Sequence, residues 1–394
     1  MRRVAAWLCA LFAAGASAAE PAIVIGAALA QSGMLADLAA DYRNALLLWQ
    51  DEVNAAGGLL GRRVELRLVD DRSEAQAAGR IYERLIDEDK ADLLLGPFGV
   101  AASLGAAAAA ERARRVLVNA TGAARILHKP GTRYVFQVPA PFSAYGEGVL
   151  AMVRAAGLRT LFVVARDDPA SREMAAGLRD AARAQNLSVG EPALFATGLS
   201  DFAPLVEGAR AAGAEAWVAF GDARSAAEMV KSFKRLGYAP PLFVAQGAEQ
   251  PRFVDLVGQD AEEVIGLSAY EARFATPGNA EFAQAFAAKW SSQPTLAAAQ
   301  GYAALKVLER AVRQAATLDQ EKLRATLAGL ETGTPLGAYK IDPASGQQRA
   351  AQVAVIQIQG GRREIVWPAT LAGAIWRAPY PSWESRTILG TKNR

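Results

Sequence analysis

The chain has 394 residues, a formal net charge of +3, one cysteine and one histidine. That length is enough for two or three lobes with cores of their own. So few thiols and imidazoles exclude a disulfide framework and a Cys/His metal cluster, and no basic stripe suggests nucleic acid.

Residues 1–18 read as a secretory signal peptide: Arg2 and Arg3, an apolar run from Val4 to Ala14, then Ala16-Ser17-Ala18. The run is shorter than the ~20 residues a spanning helix needs. Cleavage after Ala18 removes Cys9 with Arg2 and Arg3, leaving an exported, cysteine-free chain of charge +1.

From there strand and helix patterns alternate. "AIVIGAAL" (22–29) is a continuous apolar strand. Leu38, Tyr42, Leu46, Trp49 and Val53 then mark one buried helical stripe, which Gly57-Gly58 ends. "RRVELRLVDD" (62–71) alternates like a strand buried on one face. A helix from about Ser73 to Asp89 leads into "DLLLGPFGVAAS" (92–103), a buried strand running into Gly, Pro and an Ala-rich helix. "RVLVNAT" (115–121) follows.

The rhythm resumes after residue 140 with strands at 160–167, 215–222, 240–247 and 263–270. Helices are expected over about 170–185, 201–212, 222–237 and 249–257. Two such series predict two doubly wound α/β lobes with parallel sheets covered on both faces. The C-terminal third carries helices at about 279–291, 296–316 and 321–329, then strand-like runs "LGAYKID" (336–342) and "AAQVAVIQI" (350–358). Too few to close a sheet alone, these strands are expected to complete the earlier two. The Pro- and Trp-rich end, 366–394, reads as a strap over a surface.

The order "IGAALAQSG", "DEVNAAGGLLGRRVELRLVDD", "LLLGPFGVAAS", "RVLVNATGAA", "FGDARSAAEMVKSFKRLG", "PLFVAQGAEQ", "AAQGYAALKVLERAV" and "PLGAYKID" resembles the type I periplasmic binding proteins. The likeness is to their leucine/isoleucine/valine- and amide-binding branch, the solute receptors of ABC importers, and covers about Ile23 to Gln357. It implies two Rossmann-like lobes joined by three hinge crossovers in a Venus-flytrap arrangement. Lobe 1 would comprise 20–139 and 269–346, lobe 2 would comprise 140–268 and 347–380, and 381–394 would be a tail. The resemblance further implies a periplasmic monomer with no cofactor. It would close over a small-molecule ligand and deliver it to ABC permease subunits in the inner membrane, driven by cytoplasmic ATPases. The alternatives on the same fold are a ligand-sensing subunit for a membrane receptor or kinase, or a branched-chain amino acid receptor if the site positions are shifted. A secreted hydrolase is disfavoured because no nucleophile–base pair can be placed.

In such folds ligands sit at the carboxyl ends of the strands. Gly96 and Gly99 permit close backbone approach there, and the helix start offers free N–H groups. Relatives that bind α-amino acids carry a hydroxyl at the start of this helix, another after the next strand, and an acid from lobe 2 for the ammonium. Here those positions fall at Val100 or Ala101, at Ala123 with Thr121 nearby, and at Gln246 or Gly247 unless Glu249 swings in. An aromatic expected after 160–167 falls at Ala170. An unpaired buried ammonium costs several kcal/mol, so a zwitterionic amino acid is disfavoured. The expected pocket is apolar at Phe98, Gly99, Val100, Ala101, Ala123, Ala170 and Phe220, with polar groups at Gln31, Ser32, Asn119, Thr121, Arg166, Asp222 and Gln246. That mixture suits an aromatic or other carboxylate, or an amide. Arg166 either pairs with a ligand carboxylate or forms a salt bridge with Asp167 or Asp168. His128, beside Lys129-Pro130, reads as a surface loop residue, and the pairs Asp70-Asp71 and Asp167-Asp168 as capping groups.

Overall fold

The computed structural model describes residues 20–385; the expected signal peptide and most of the tail lie outside them. Apolar runs become strands and amphipathic runs become covering helices, in the order β1 (Ile23–Leu29), α1 (Ala36–Ala55), β2 (Val64–Asp70), α2 (Ala77–Asp87), β3 (Leu93–Leu95), α3 (Val100–Ala113), β4 (Leu117–Asn119) and β5 (Val135–Gln137). These five strands form one parallel sheet, ordered β2-β1-β3-β4-β5.

The chain continues through α4 (Glu147–Ala155), β6 (Thr160–Arg166), α5 (Pro169–Ala184), β7 (Ser188–Val189), β8 (Ala193–Phe195), α6 (Ala203–Ala211), β9 (Ala216–Phe220), α7 (Ala223–Leu236), β10 (Leu242–Ala245), α8 (Pro251–Val257) and β11 (Ile265–Ser268). Next come α9 (Asn279–Trp290), α10 (Leu296–Ala315), α11 (Gln320–Gly329), β12 (Thr332–Thr334), β13 (Gly337–Tyr339), β14 (Ala354–Gln359) and β15 (Arg362–Trp367). The second sheet is ordered β15-β14-β11-β10-β9-β6-β7, with β8 also on β6; β14 runs antiparallel to both its neighbours, β11 and β15.

The chain passes between the sheets three times: after Gln137, after Ser268 and before Ala354. The two sheets have separate cores. Trp49, Phe286 and Leu308 are buried against the first, and Trp217, Phe233 and Phe243 pack together on the second.

Several expectations shift. Leu38 is 62% exposed while Ala39 is buried, so the α1 stripe runs Ala39, Tyr42, Leu46, Trp49, Val53; Leu38, four residues before Tyr42, shares that side of the helix but sits in its exposed first turn. β2 buries only Val64 fully because it is the sheet's edge strand. α2 starts four residues late: Arg72 and Ser73 have φ of 55° and 63°, and Asp71 Oδ1 accepts the Ser73 N–H in a tight turn. The 336–342 strand does not extend the first sheet but pairs with β12 in a separate hairpin. β5, α4, β7, β8 and β15 were not anticipated. The strap is held where the Tyr380 N–H donates to Pro241 O and Trp383 Nε1 to Tyr238 O, at 2.9 and 2.7 Å.

Candidate functional site

Two adjoining cavities lie where the three passages meet. The inner one, about 110 Å³, is lined by Pro139 and Ala140 of the first passage, Ala269 of the second, and Ala351 and Gln352 of the third. Thr121 and Ala123 contribute from the first sheet. The outer one, about 1060 Å³, shares Tyr145, Ala269 and Leu296 with it and opens past Gln246, Glu249, Tyr270 and Arg363. One cleft therefore has walls from both sheets and a floor made of the passages themselves.

On the first-sheet side Thr121 and Ala123 line the inner cavity, and behind them stands the start of α3, whose residues Phe98, Gly99, Val100 and Ala101 line neither cavity. Gly99, at φ 93°, precedes the helix and supplies no side-chain cap. Thr121 ties this start to the next loop: its Oγ1 accepts the Gly99 N–H at 2.8 Å and donates to Pro97 O at 2.8 Å. Val100 is half-buried and Ala101 exposed at the helix start, and the half-buried Phe98 ring lies 6.1 Å from Tyr42. Asn119 is fully buried and faces its own loop, donating to Gly122 O at 2.7 Å and accepting the Gly122 N–H at 3.0 Å. Gln31 and Ser32 sit exposed after β1. Their N–H groups, with the Ser32 hydroxyl, converge on Asp70, so they line neither cavity.

On the second sheet two helix starts are already filled, those of α5 and α7, whereas α8, whose start lines the outer cavity at Gln250 and Pro251, has no side-chain cap. Asp168 caps α5, accepting the N–H groups of Ala170 and Ser171 at 3.1 and 3.0 Å. Asp222 caps α7, accepting the Ser225 N–H at 2.9 Å. Arg166 bridges the two caps, donating from Nε to Asp168 at 2.7 Å and from Nη1 to Asp222. Burial alone would raise both carboxyls, but the serine N–H groups and the guanidinium hold both below the ordinary range. Of the two readings of Arg166, the salt bridge is the one present, with Asp222 as an added partner, while Asp167 pairs with Arg172. Phe220 is fully buried in the core beneath, so its ring does not face the cleft.

Gly247, at φ 103°, brings the loop after β10 against α7: a Cβ there would lie 2.2 Å from Asp222 C. Gln246 lines the outer cavity while its Oε1 accepts the Gly221 N–H at 3.2 Å. Glu249 lines that cavity too. Its Oε2 accepts the Gly247 N–H at 2.6 Å, and burial pushes its carboxyl up to about 7. The sequence argument against an ammonium assumed this acid stays away from the pocket, and that premise fails. At the rim, Arg363 pairs with Glu271 at 3.3 Å and Arg273 with Glu364 at 3.5 Å.

His128 is not a surface residue. It is 3% exposed, and burial drops its pKa to about 4. Sequence reasoning also missed Tyr145, Tyr270, Leu296, Gln300 and Gln352 as lining groups; only Gln300 falls within a motif of the family resemblance, and there it reads as part of a helix. Among the described residues no cluster of His, Cys, Asp and Glu is arranged to hold a metal, and no helix is long and apolar enough to cross a membrane.

A family model described as a periplasmic binding protein matches residues 22–362. A Leu/Ile/Val-binding protein homologue from Brucella abortus is 25% identical over 366 residues, spanning 88% of this chain and 90% of that relative. Two solved structures share the fold. A substrate-binding protein from Desulfitobacterium hafniense in complex with Leu has a TM-score of 0.73 at 22% identity, over 87% of this chain and 99% of its own. A solute-binding protein from R. palustris in complex with benzoate has a TM-score of 0.68 at 22% identity, over 90% and 99%.

Proposed function

Because the chain belongs to the periplasmic binding protein family, whose members bind solutes rather than transform them, we propose that it is the periplasmic receptor of an ABC importer. Its ligand, on this reading, is a small, partly apolar carboxylate held between the sheets. The lobes would comprise 20–139 with 269–346 and 140–268 with 347–380, a hinge motion about the passages closing them. Export through residues 1–18 and delivery to a membrane permease with cytoplasmic ATPases complete the reading.

The observation that carries it is the cleft floored by all three passages, since closure there changes the volume around anything it holds. The carboxylate is assigned to the first-sheet side because α3 begins without a side-chain cap and its start is tied to the inner cavity through Thr121, whereas Asp168 and Asp222 fill the starts of α5 and α7. Apolar contact would come from Ala123, Tyr145 and Leu296. The R. palustris relative, bound to benzoate, lends support to such a ligand.

Glu249 favours a second reading, in which the ligand also carries an amine. It lines the outer cavity, and burial is the leading cause of its raised pKa, so a cation beside it would be stabilised. The Leu-bound relative is of that kind.

Thermal shift with benzoate, phenylacetate, acetamide, L-leucine and L-glutamate tests both readings. A ligand at about 100 times its Kd stabilises the fold by roughly 2.7 kcal/mol. Titration across about pH 6–8 then separates the two, because a carboxylate binds more weakly and an amine more tightly as Glu249 ionises. No shift with any of the five, and none with wider panels of amides and acids, would overturn the receptor reading.

A further inference from the structure

The chain's single histidine lies behind the first-sheet wall. His128 Nδ1 is 3.2 Å from the main-chain oxygen of Ser345, and Nε2 is 3.4 Å from Asn119 Nδ2. A carbonyl accepts and an amide –NH2 donates, so the partners assign the ring: Nδ1 carries the proton and Nε2 accepts. Asn119 is thereby gripped from both sides, by His128 and by the main chain of Gly122. The loop it shapes presents Thr121 and Ala123 to the inner cavity. Thr121 carries the same restraint onward to Gly99 and Pro97 at the start of α3.

In the other direction, Ser345 belongs to the turn that docks on the first passage. Gly346 O accepts the Gln137 N–H at 2.9 Å, and Gln348 Nε2 donates to Val138 O at 3.1 Å. A connected set of hydrogen bonds therefore runs from the first and third passages, through one buried imidazole, to the loops of the cleft wall.

We infer that His128 is a positioning residue for ligand capture, acting through Asn119 to hold the 119–123 loop in register with the α3 start and with the hinge passages. It touches no ligand, and the role rests on the cleft being the ligand site. Around it, a cavity of about 620 Å³ brings Arg125, Lys129, Glu173 and Asp342 near the ring. Burial keeps the imidazole neutral far below neutral pH, so Nε2 stays an acceptor in ordinary buffers.

The test needs no ligand. Hydrogen–deuterium exchange is followed in the full mature chain as wild type, His128→Leu and His128→Gln. Leucine fills the space without either bond, whereas glutamine offers one donor and one acceptor. Exchange over 97–103 and 119–124 should quicken about tenfold in the leucine variant and return to within about twofold of wild type with glutamine. Strands β9 and β10 should not change. Unchanged exchange in the leucine variant, equal loss of protection in both sheets, or a glutamine variant as loose as leucine would each overturn the inference. Should leucine prevent folding, His128→Asn carries the same expectation, being too short to reach both partners. Failure to bind any solute would count against the receptor reading and leave this result standing.

Discussion

On the first-sheet side of the cleft the wall is main chain and small side chains, ordered by hydrogen bonds from Asn119, Thr121 and His128. On the second-sheet side it is charge: Glu249 and the Glu271–Arg363 pair line the outer cavity, and Asp168, Arg166 and Asp222 form one ion network at helix starts that line neither cavity. The difference lies in how each helix start is treated. Where an aspartate caps the helix, the partial positive charge is spent on the protein itself. Where only Gly99 precedes the helix, no side chain caps its start. On the proposed reading, an anion would be received at the α3 start.

The largest expected effect comes from forcing the charged wall apart. Gly247→Ala puts a Cβ 2.2 Å from Asp222 C at φ 103°, against backbone that cannot swing away. A loss of about 3 kcal/mol or more is expected in urea unfolding, together with loss of ligand response. A near-neutral result would mean that the loop after β10 is not fixed on α7.

Next in size is the response to acid, where the walls should oppose each other. His128 has a pKa of about 4 when folded against 6.5 ordinarily. Between those values only the unfolded chain takes up the proton, so its contribution is full above about pH 6.5 and is lost as pH falls through 4. Glu249 is raised from 4.5 to about 7. There the folded chain keeps a proton the unfolded chain has released, so its contribution is full below about pH 4.5 and is lost as pH rises through 7. Urea unfolding of wild type, His128→Gln and Glu249→Gln across about pH 4–8 reads both. Relative to its variant, wild type should gain about 1–3 kcal/mol with rising pH in the first comparison and lose a comparable amount in the second. Parallel curves would break the contrast.

How much of this was legible in sequence follows the same physics. α10 and α7 declared themselves because apolar residues every three to four positions have one explanation, a buried helical face. β9 and β10 did so as unbroken apolar runs. Strands of two or three residues, such as β5 and β7, hold too little pattern to register. Thr121, Ala123 and Gln246, picked out because strand-end loops are where such folds place ligands, do line the two cavities. Phe220 was misplaced since neighbouring strand residues face opposite sides, and a one-position choice decides core or cleft. His128 was misread because its partners are 9 and 217 residues away in sequence, and no local pattern carries that information.

Arg166→Met sharpens the comparison with a smaller effect. It leaves two carboxylates facing each other without their shared cation, and about 1–2 kcal/mol of stability should go at neutral pH, less in acid where the aspartates are protonated. Ligand affinity should stay within about threefold of wild type, because the guanidinium is already committed to Asp168 and Asp222. Calorimetric titration beside urea unfolding separates the two quantities. A variant of unchanged stability that no longer binds would move the anion site to the second sheet.

The smallest change tests the other wall. Thr121→Val keeps the shape of the side chain and removes the oxygen that both accepts from the Gly99 N–H and donates to Pro97 O. Thr121 is only half-buried, so water can partly replace those partners, and the stability loss should be near 1 kcal/mol. Affinity should suffer more than stability. On the carboxylate reading the hydroxyl orders the α3 start that would receive the anion, and about tenfold weaker binding is expected from its loosening. A matched amide ligand, lacking the charge, should lose less. Equal losses for acid and amide would mean that Thr121 holds the loop without aiming it, and the uncapped helix start would no longer explain how an anion is received.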